Sequence, residues 1–383
     1  MIINIYGSTG IIGRKTLDVI DKHFPDIKIN LLCVKSNINL LRNQIKKYNP
    51  KYVFVYDEKK SSKLNLKKNK TKLLNYEQLL DYLNTTKSNL SVLAVSGYKS
   101  LYFLDHIIQN TDNLGIASKE AIVSAGHIFK KNKYFKKTNI FPLDSEHHSL
   151  HENFNNLKDN NSIKKIIITA SGGPFYNRKF LSLKNIKFSQ AIDHPKWKMG
   201  YKNSIDSATL VNKCLELIEA HYLFDIPFTD LKILIHPQAI VHSAVEFQNF
   251  TTQLNLFKND MKIPIYNFLN QFDLNTLNKK DDLYLKNIPL LKFLEVKNDI
   301  FPIYNLFKNI NKELPQNLIK FNIGNEFAVE LFKNGKIRYT DIYKIIKKVT
   351  SLNLYSPVNT IKDIIKYHEE IENSIKRIKL PIY

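Results

Sequence analysis

The sequence predicts an α/β protein: a first half built as a mostly parallel sheet with helices on both faces, and a helical C-terminal stretch. Three observations carry this expectation. Short apolar runs alternate with helical stretches from the first residues to about Leu143, the order of successive βαβ units. Glycines at 7, 10 and 13 sit at the first of these junctions, where a strand passes into a helix. From about Leu291 onward the pattern is helical alone.

Taken in order, Ile2–Tyr6 is a short apolar strand that runs into the glycines, and Arg14–Lys22 continues as a helix. Ile29–Val34 is the second strand, Leu40–Tyr48 the second helix and Tyr52–Tyr56 the third strand. Leu79–Leu83 reads as helix, Ser91–Val95 as a buried strand and Leu101–Gln109 as helix again. Leu114–Ser118 and Asn139–Leu143 are further strands. Lys165–Thr169 opens a second region, followed by the turn Ser171-Gly172-Gly173-Pro174. A longer helix is expected over Ser207–Phe224 and strands over Ile233–Ile235 and Ile240–Phe247. Helices follow over Asn317–Lys333, Asp341–Leu352 and Thr360–Ile375.

Composition narrows the function. With 43% hydrophobic residues the chain is globular, and 383 residues are the length of two or three domains. No run of 18 apolar residues exists, so no membrane span is expected, and MIINIYGSTG passes straight from a short strand into a glycine turn, so neither signal nor transit peptide is expected. Cys33 and Cys214 lie far apart with no CxxC, which points to a reducing, cytoplasmic compartment. The net charge of +22 raises the question of nucleic acid. Yet only five of the 57 basic residues are Arg, the residue suited to bidentate phosphate and base contacts, so compositional drift toward Lys is the preferred reading and no nucleic-acid partner is expected. A basic field still attracts small anions.

Gly7-Ser8-Thr9-Gly10-Ile11-Ile12-Gly13 allows a tight turn that brings backbone N–H groups to a pyrophosphate at a helix N-terminus, so a dinucleotide is expected there. After the second strand, Lys35-Ser36-Asn37 contains no acid to read a ribose 2′-hydroxyl, which favours NADP(H) over NAD. Asp144-Ser145-Glu146 follows a strand. If that segment is extended, both carboxylates face one side and suit a hard cation, Mg²⁺ or Mn²⁺, with Glu216 as the candidate third ligand. His147, His148 and His151 are read as surface residues or as neighbours of the ligands. On the expected Ser207–Phe224 helix, Asn212, Glu216 and Glu219 share a face and Lys213 neighbours them, while Asp206 is placed to cap the helix start. With Ser171, Ser207 and the segment His194–Gly200, which holds the single Trp, they suit a phosphate and sugar site. Lys119-Glu120 lies at a strand's carboxyl end, where a crevice is expected.

The ordered series GSTGIIG, ASKEAIV, PLDSEHHS, TASGGPF, HPKWKMG, SIDSATLVNKCLELIEA and IHPQAIVHS resembles the 1-deoxy-D-xylulose 5-phosphate reductoisomerases over essentially the whole chain. The resemblance implies an N-terminal Rossmann-like NADPH-binding domain (1–145) and an α+β catalytic and dimerisation domain (146–275) with a flexible lid over 171–201. A linker (276–296) and a C-terminal helical bundle (297–383) follow. It implies rearrangement of the sugar phosphate by retro-aldol and aldol steps, reduction by NADPH, and a homodimer. Carried over residue by residue, Asp144, Glu146 and Glu216 are metal ligands. Ser145, Ser171, His194, Trp197, Ser207, Asn212 and Lys213 contact the substrate, and Lys119 lies beside the reacting centre. Gly7 to Ile12, Lys35, Ser36, Asn37, Ser118, Glu120 and Gly200 line the cofactor. Ile11, Lys35-Ser36, Ser118 and Tyr201 depart from the family's usual Ser, Gly-Lys, Asn and Arg on the cofactor side or the lid, Asn255 to Asn259 blurs a Gly- and Asp-bearing segment elsewhere, and Ser118 is expected to keep a polar contact. No ligand carboxylate departs.

Overall fold

Seven parallel strands form the first sheet: β1 (Ile2–Tyr6), β2 (Lys28–Val34), β3 (Tyr52–Val55), β4 (Lys72–Leu74), β5 (Ser88–Leu93), β6 (Thr111–Ile116) and β7 (Asn139–Pro142), in the order β4-β3-β2-β1-β5-β6-β7. This computed structural model describes residues 1–66, 70–129, 131, 137–155, 162–196, 199–271 and 285–377. Ile3, Ile5, Leu32, Val53, Leu90 and Val92 are buried in one core, as expected where helices cover both faces of a parallel sheet. Each such side chain contributes about 1.5–3 kcal/mol by leaving water. The strand order reverses beside β1, so the crevice at the carboxyl ends of β1 and β5 is where a doubly wound sheet holds a ligand.

The crossover helices are α1 (Ile11–His23), α2 (Ile38–Tyr48), α3 (Glu58–Ser61), α4 (Tyr76–Thr85), α5 (Leu101–Gln109) and α6 (Lys119–Phe129). Asn75 and Gln78 form a capping box at the start of α4, satisfying two otherwise orphaned backbone donors. After β7 come α7 (Ser145–Asn155) and β8 (Ile163–Ala170). By internal contacts the chain divides into two units. One comprises Met1–Ala121, Phe129–His148 and Asp260–Lys280, the other Ile122–Ile128, Ser149–Asn259 and Asp281–Tyr383.

The second unit carries α8 (Phe188–Ala191), α9 (Tyr201–Ala208), α10 (Val211–Phe224), β9 (Leu231–Ile235), β10 (Val241–Phe247) and β11 (Thr252–Leu256). The chain then returns to the first unit as α11 (Lys262–Asn270), whose Ile265, Phe268 and Leu269 enter that unit's core, with Lys262 bonded to Asp18 of α1. Back in the second unit, β12 (Leu294–Glu295) closes a five-stranded sheet ordered β11-β10-β8-β9-β12, mixed in direction because only β8 and β9 run parallel. Helices α12 (Pro302–Asn309), α13 (Pro315–Lys333), α14 (Asp341–Thr350) and α15 (Ile361–Lys376) follow. Gly324 lets α13 and α14 approach closely: a Cβ there would lie 3.0 Å from Val349 Cβ.

The α/β class and its parallel sheet agree with the sequence. One expected helix does not. Ser207–Phe224 is two helices, broken at Thr209-Leu210, with Leu210 at φ 66° in the left-handed region. No Gly or Pro marks the break, which is why periodicity runs through it.

Candidate active site

In the first unit the glycine turn is backbone against backbone. Gly7, at φ +92°, has no room for a side chain, since a Cβ would lie 2.4 Å from Ala94 O at the end of β5. A Cβ on Gly13 would lie 2.3 Å from Gly7 O. Gly10 ends the turn as the residue before α1 and supplies no side-chain cap, so the first N–H groups of that helix remain for an anion. No acidic residue stands in the first turn of α1 to compete. Ser8 is fully buried: its hydroxyl donates to Gln44 Oε1 (2.8 Å), and Gln44 Nε2 donates to Ser8 O (2.8 Å). Ser8 therefore shapes the turn through α2. Gln44 escaped the motif reading, although a polar residue among the buried positions Leu41 and Ile45 was its visible signal.

Asn37 likewise serves the fold, its Oδ1 accepting from Leu40 N (3.1 Å) to cap α2, while Lys35 is exposed and Ser36 half-buried. Thr9 and Ile12 are half-buried and Ile11 is exposed at the first helical position. Ser118 is buried and shares its one hydroxyl hydrogen between Val95 O (2.8 Å) and Ser100 Oγ (2.9 Å), which ties the ends of β5 and β6 together.

Lys119 Nζ bonds Asp144 Oδ2, with both side chains mostly buried. The DSE segment is not extended. The chain turns into α7 at Ser145, Glu146 N donates to Asp144 Oδ1 (3.2 Å) and His148 N to Asp144 O (2.8 Å). Asp144 thus stands where a helix cap stands, and an acid there is stabilised by the free N–H groups of the first turn. Ser145 Oγ donates to Glu146 Oε2. Glu120 is buried on α6. His147 and His148 are buried, not on the surface. His147 Nδ1 lies 3.0 Å from Asp144 Oδ1, behind the carboxylate. His151 is partly exposed beside Glu152.

In the second unit the turn after β8 brings three distant side chains together. Ser171 Oγ is 3.0 Å from His194 Nε2, and Ser207 Oγ is 3.1 Å from the same nitrogen. Lys196 N donates to His194 Nδ1 (3.2 Å), so the imidazole is the Nε2–H tautomer and the two hydroxyls share that hydrogen as acceptors. Ser171 Oγ also accepts from Gly173 N (3.3 Å). A hydroxyl that accepts in this way keeps its own hydrogen to donate. Burial and then the charge of Lys213 push the His194 pKa down to about 4, so the ring is neutral near pH 7.

On α10, Lys213 Nζ donates to Glu216 Oε2 (2.7 Å) and Asn212 Nδ2 to Glu216 Oε1. The side chains of Lys213 and Glu216 are 9% and 0% exposed, which sets this pair apart from an ordinary surface i,i+3 bridge. Glu219 is buried one turn on. Asp206 does not cap a helix. It lies inside α9, bonded to Lys202 Nζ (2.8 Å) and Asn325 Nδ2 (2.8 Å). Gly200 immediately precedes α9, and a Cβ there would have none of the described residues within 4 Å beyond its own chain neighbours. Trp197 lies outside the described residues.

Comparison with known proteins agrees along the chain. Residues 3–126 match the family described as 1-deoxy-D-xylulose 5-phosphate reductoisomerase, 140–224 its C-terminal domain, and 256–374 a further DXP reductoisomerase C-terminal domain. The 1-deoxy-D-xylulose 5-phosphate reductoisomerase of Thermodesulfovibrio yellowstonii is 37% identical, covering 94% of this chain and 95% of the relative. That of Pelagibacter ubique is 35% identical, covering 99% and 98%. Among solved structures, the Zymomonas mobilis reductoisomerase in complex with NADPH superposes with a TM-score of 0.85 at 28% identity, covering 98% of this chain and 97% of that one. A DOX-P reductoisomerase in complex with NADPH, fosmidomycin and magnesium gives a TM-score of 0.88 at 29% identity, with the same coverage.

Proposed function

The chain belongs to the 1-deoxy-D-xylulose 5-phosphate reductoisomerase family, and from that membership we propose how its residues divide the work. It is an NADPH- and divalent-metal-dependent oxidoreductase that rearranges and reduces 1-deoxy-D-xylulose 5-phosphate to 2-C-methyl-D-erythritol 4-phosphate, a step of the non-mevalonate isoprenoid pathway. The observation that carries the residue assignment is the meeting of Ser171, His194 and Ser207 at one imidazole edge.

Those two hydroxyls, with Asn212 and Lys213, grip the substrate phosphate. Neutral His194 accepts from Lys196 N at one nitrogen and presents its Nε2–H to both serines, which holds their oxygens in place and leaves their hydrogens for phosphate oxygens. Binding energy spent here, away from the reacting carbons, orients them. Asp144, Glu146 and Glu216 hold Mg²⁺ or Mn²⁺. They fit a hard cation as carboxylate oxygen donors, and Asp144 and Glu216 each bond a lysine ammonium. When bound, the cation polarises the substrate carbonyl and stabilises the oxyanions of the rearrangement. Lys119, bonded to Asp144, lies beside the reacting centre, and Ser145 touches the substrate from the start of α7.

NADPH, which supplies the hydride, is cradled by Gly7 to Ile12, with Lys35, Ser36 and Asn37 at its ribose phosphate and Ser118, Glu120 and Gly200 along its length. The backbone cradle fits it, because Gly10 leaves the α1 N–H groups uncapped and no acid stands at the end of β2. Trp197 belongs to a lid over 171–201. In functional terms 1–145 bind the cofactor, 146–275 carry catalysis and dimerisation, 276–296 link and 297–383 form the helical part. The chain works as a homodimer in the cytoplasm on a small sugar phosphate. Among the described residues no helix is long and apolar enough to cross a membrane. Oxidation of NADPH on addition of 1-deoxy-D-xylulose 5-phosphate, lost on chelation and restored by Mg²⁺ or Mn²⁺, is the expected result. Turnover that survives chelation removes the metal from the scheme.

A further inference from the structure

Helix α9 is held from two directions. On one side its end presses on the turn after β8: a Cβ on Gly173 would lie 2.9 Å from Ala208 Cα and 2.9 Å from Ser207 O. On the other, Asp206, only 1% exposed, receives Asn325 Nδ2 on Oδ1 and Lys202 Nζ on Oδ2, both at 2.8 Å. Asn325 is itself fully buried in α13, and its Oδ1 has no hydrogen-bond partner among the described residues. A buried carbonyl left unsatisfied is costly, so an apolar residue would stabilise this position better unless the amide's donation is needed. The donation goes to the neighbour of Ser207. Adjacent residues on a helix point about 100° apart, so turning Asp206 toward α13 sets the direction of Ser207.

We propose that Asn325 and Asp206 are positioning residues, through which the C-terminal helix α13 sets the angle at which Ser207 meets the substrate phosphate. The inference rests on the reading of Ser207 as a phosphate ligand. Ser207→Ala tests that reading alone: a KM for 1-deoxy-D-xylulose 5-phosphate raised about 10-fold supports it, and an unchanged KM overturns it.

Asn325→Ala tests the inference. Expected is a KM for the sugar phosphate raised about 10-fold, below the roughly 10²-fold that ångström-scale misplacement can cost, with the KM for NADPH unchanged. The exchange Asp206→Asn with Asn325→Asp re-forms the bond with donor and acceptor swapped, and brings the KM back to within about twofold of the parent. An Asn325→Ala protein with a lowered melting temperature but the parent KM overturns the inference, because the contact then only holds helices together. So does an exchange that folds and keeps the raised KM. Should Asn325→Ala not fold, Asn325→Gln displaces the amide by one methylene. A folded Gln variant with the parent KM is equally fatal, and a raised KM supports the inference.

Discussion

The glycine turn of the first unit and the proposed phosphate grip of the second both suit anions, by opposite means. In the turn the backbone offers the donors. Gly7, Gly10 and Gly13 contribute shape and N–H groups, while Ser8 and Asn37 spend their side chains on α2. In the grip the side chains do it, with Ser171, His194 and Ser207 locked to one another and Lys213 buried against Glu216. A backbone site tolerates changes in side-chain identity provided the glycines stay. A side-chain site does not. On that physical ground, side-chain substitutions should be tolerated better in the turn than in the proposed grip.

The comparison can be broken at several points. The largest effect is expected of Glu216→Gln, which keeps shape but removes charge: turnover should fall by at least roughly 10²–10³-fold with the circular dichroism spectrum and NADPH affinity intact. Activity within a few-fold of the parent would take Glu216 out of the metal site. Gly13→Ala comes next. Its new Cβ meets backbone at Gly7 O (2.3 Å) and Ser8 Cα (2.6 Å), so the turn must open. With overpacking at about 1–3 kcal/mol, NADPH affinity in a fluorescence titration should drop by roughly 5- to 100-fold. An unchanged affinity would contradict a backbone cradle.

Acid should separate the two regions. His194 and His368, both in the second unit, have pKa values pushed by burial to about 4 and about 3, against an ordinary 6.5. Between pH 6.5 and those values the unfolded chain binds protons that the folded one does not, so stability is lost as pH falls through this window and levels off near pH 3. Melting temperature followed against pH should decline less steeply in His368→Gln than in the parent. Parallel curves would show that burial of this ring does not govern acid stability. Ser8→Ala should cost about 1 kcal/mol, seen as a small drop in melting temperature, with NADPH affinity nearly unchanged. Ile11→Ser should do least, shifting NADPH affinity by no more than about twofold, since Ile11 offers the site its N–H.

The parallel sheet was legible because INIY, LLCV, VFV and SVLAV are nearly continuous apolar runs, as is typical of strands buried on both faces. Strands β4 and β12 and helix α3 were not, being two to four residues long and below what periodicity resolves. The carboxylates at 144 and 146 were found by residue type, but their geometry was misread as strand. Asp followed by Glu in a first turn is itself a helix-start signal, and it outweighs the preceding strand. The route from Asp206 to Asn325 depends on α13, more than a hundred residues away in sequence, and no local pattern encodes that.

Leu210 gives the broken helix a further meaning. A leucine in the left-handed region costs about 1–2 kcal/mol, so the break is expensive to keep. Had 201–224 run as one rod, Ser207 and Asn212, five positions apart, would lie about 140° out of phase around its axis, and one small anion could not touch both. The interruption resets that phase, as a clutch lets two shafts turn independently. The end of α9 and the start of α10 can then be aimed separately, and for the proposed sharing of one phosphate by Ser207 and Asn212 the strain held at Leu210 is the mechanical condition.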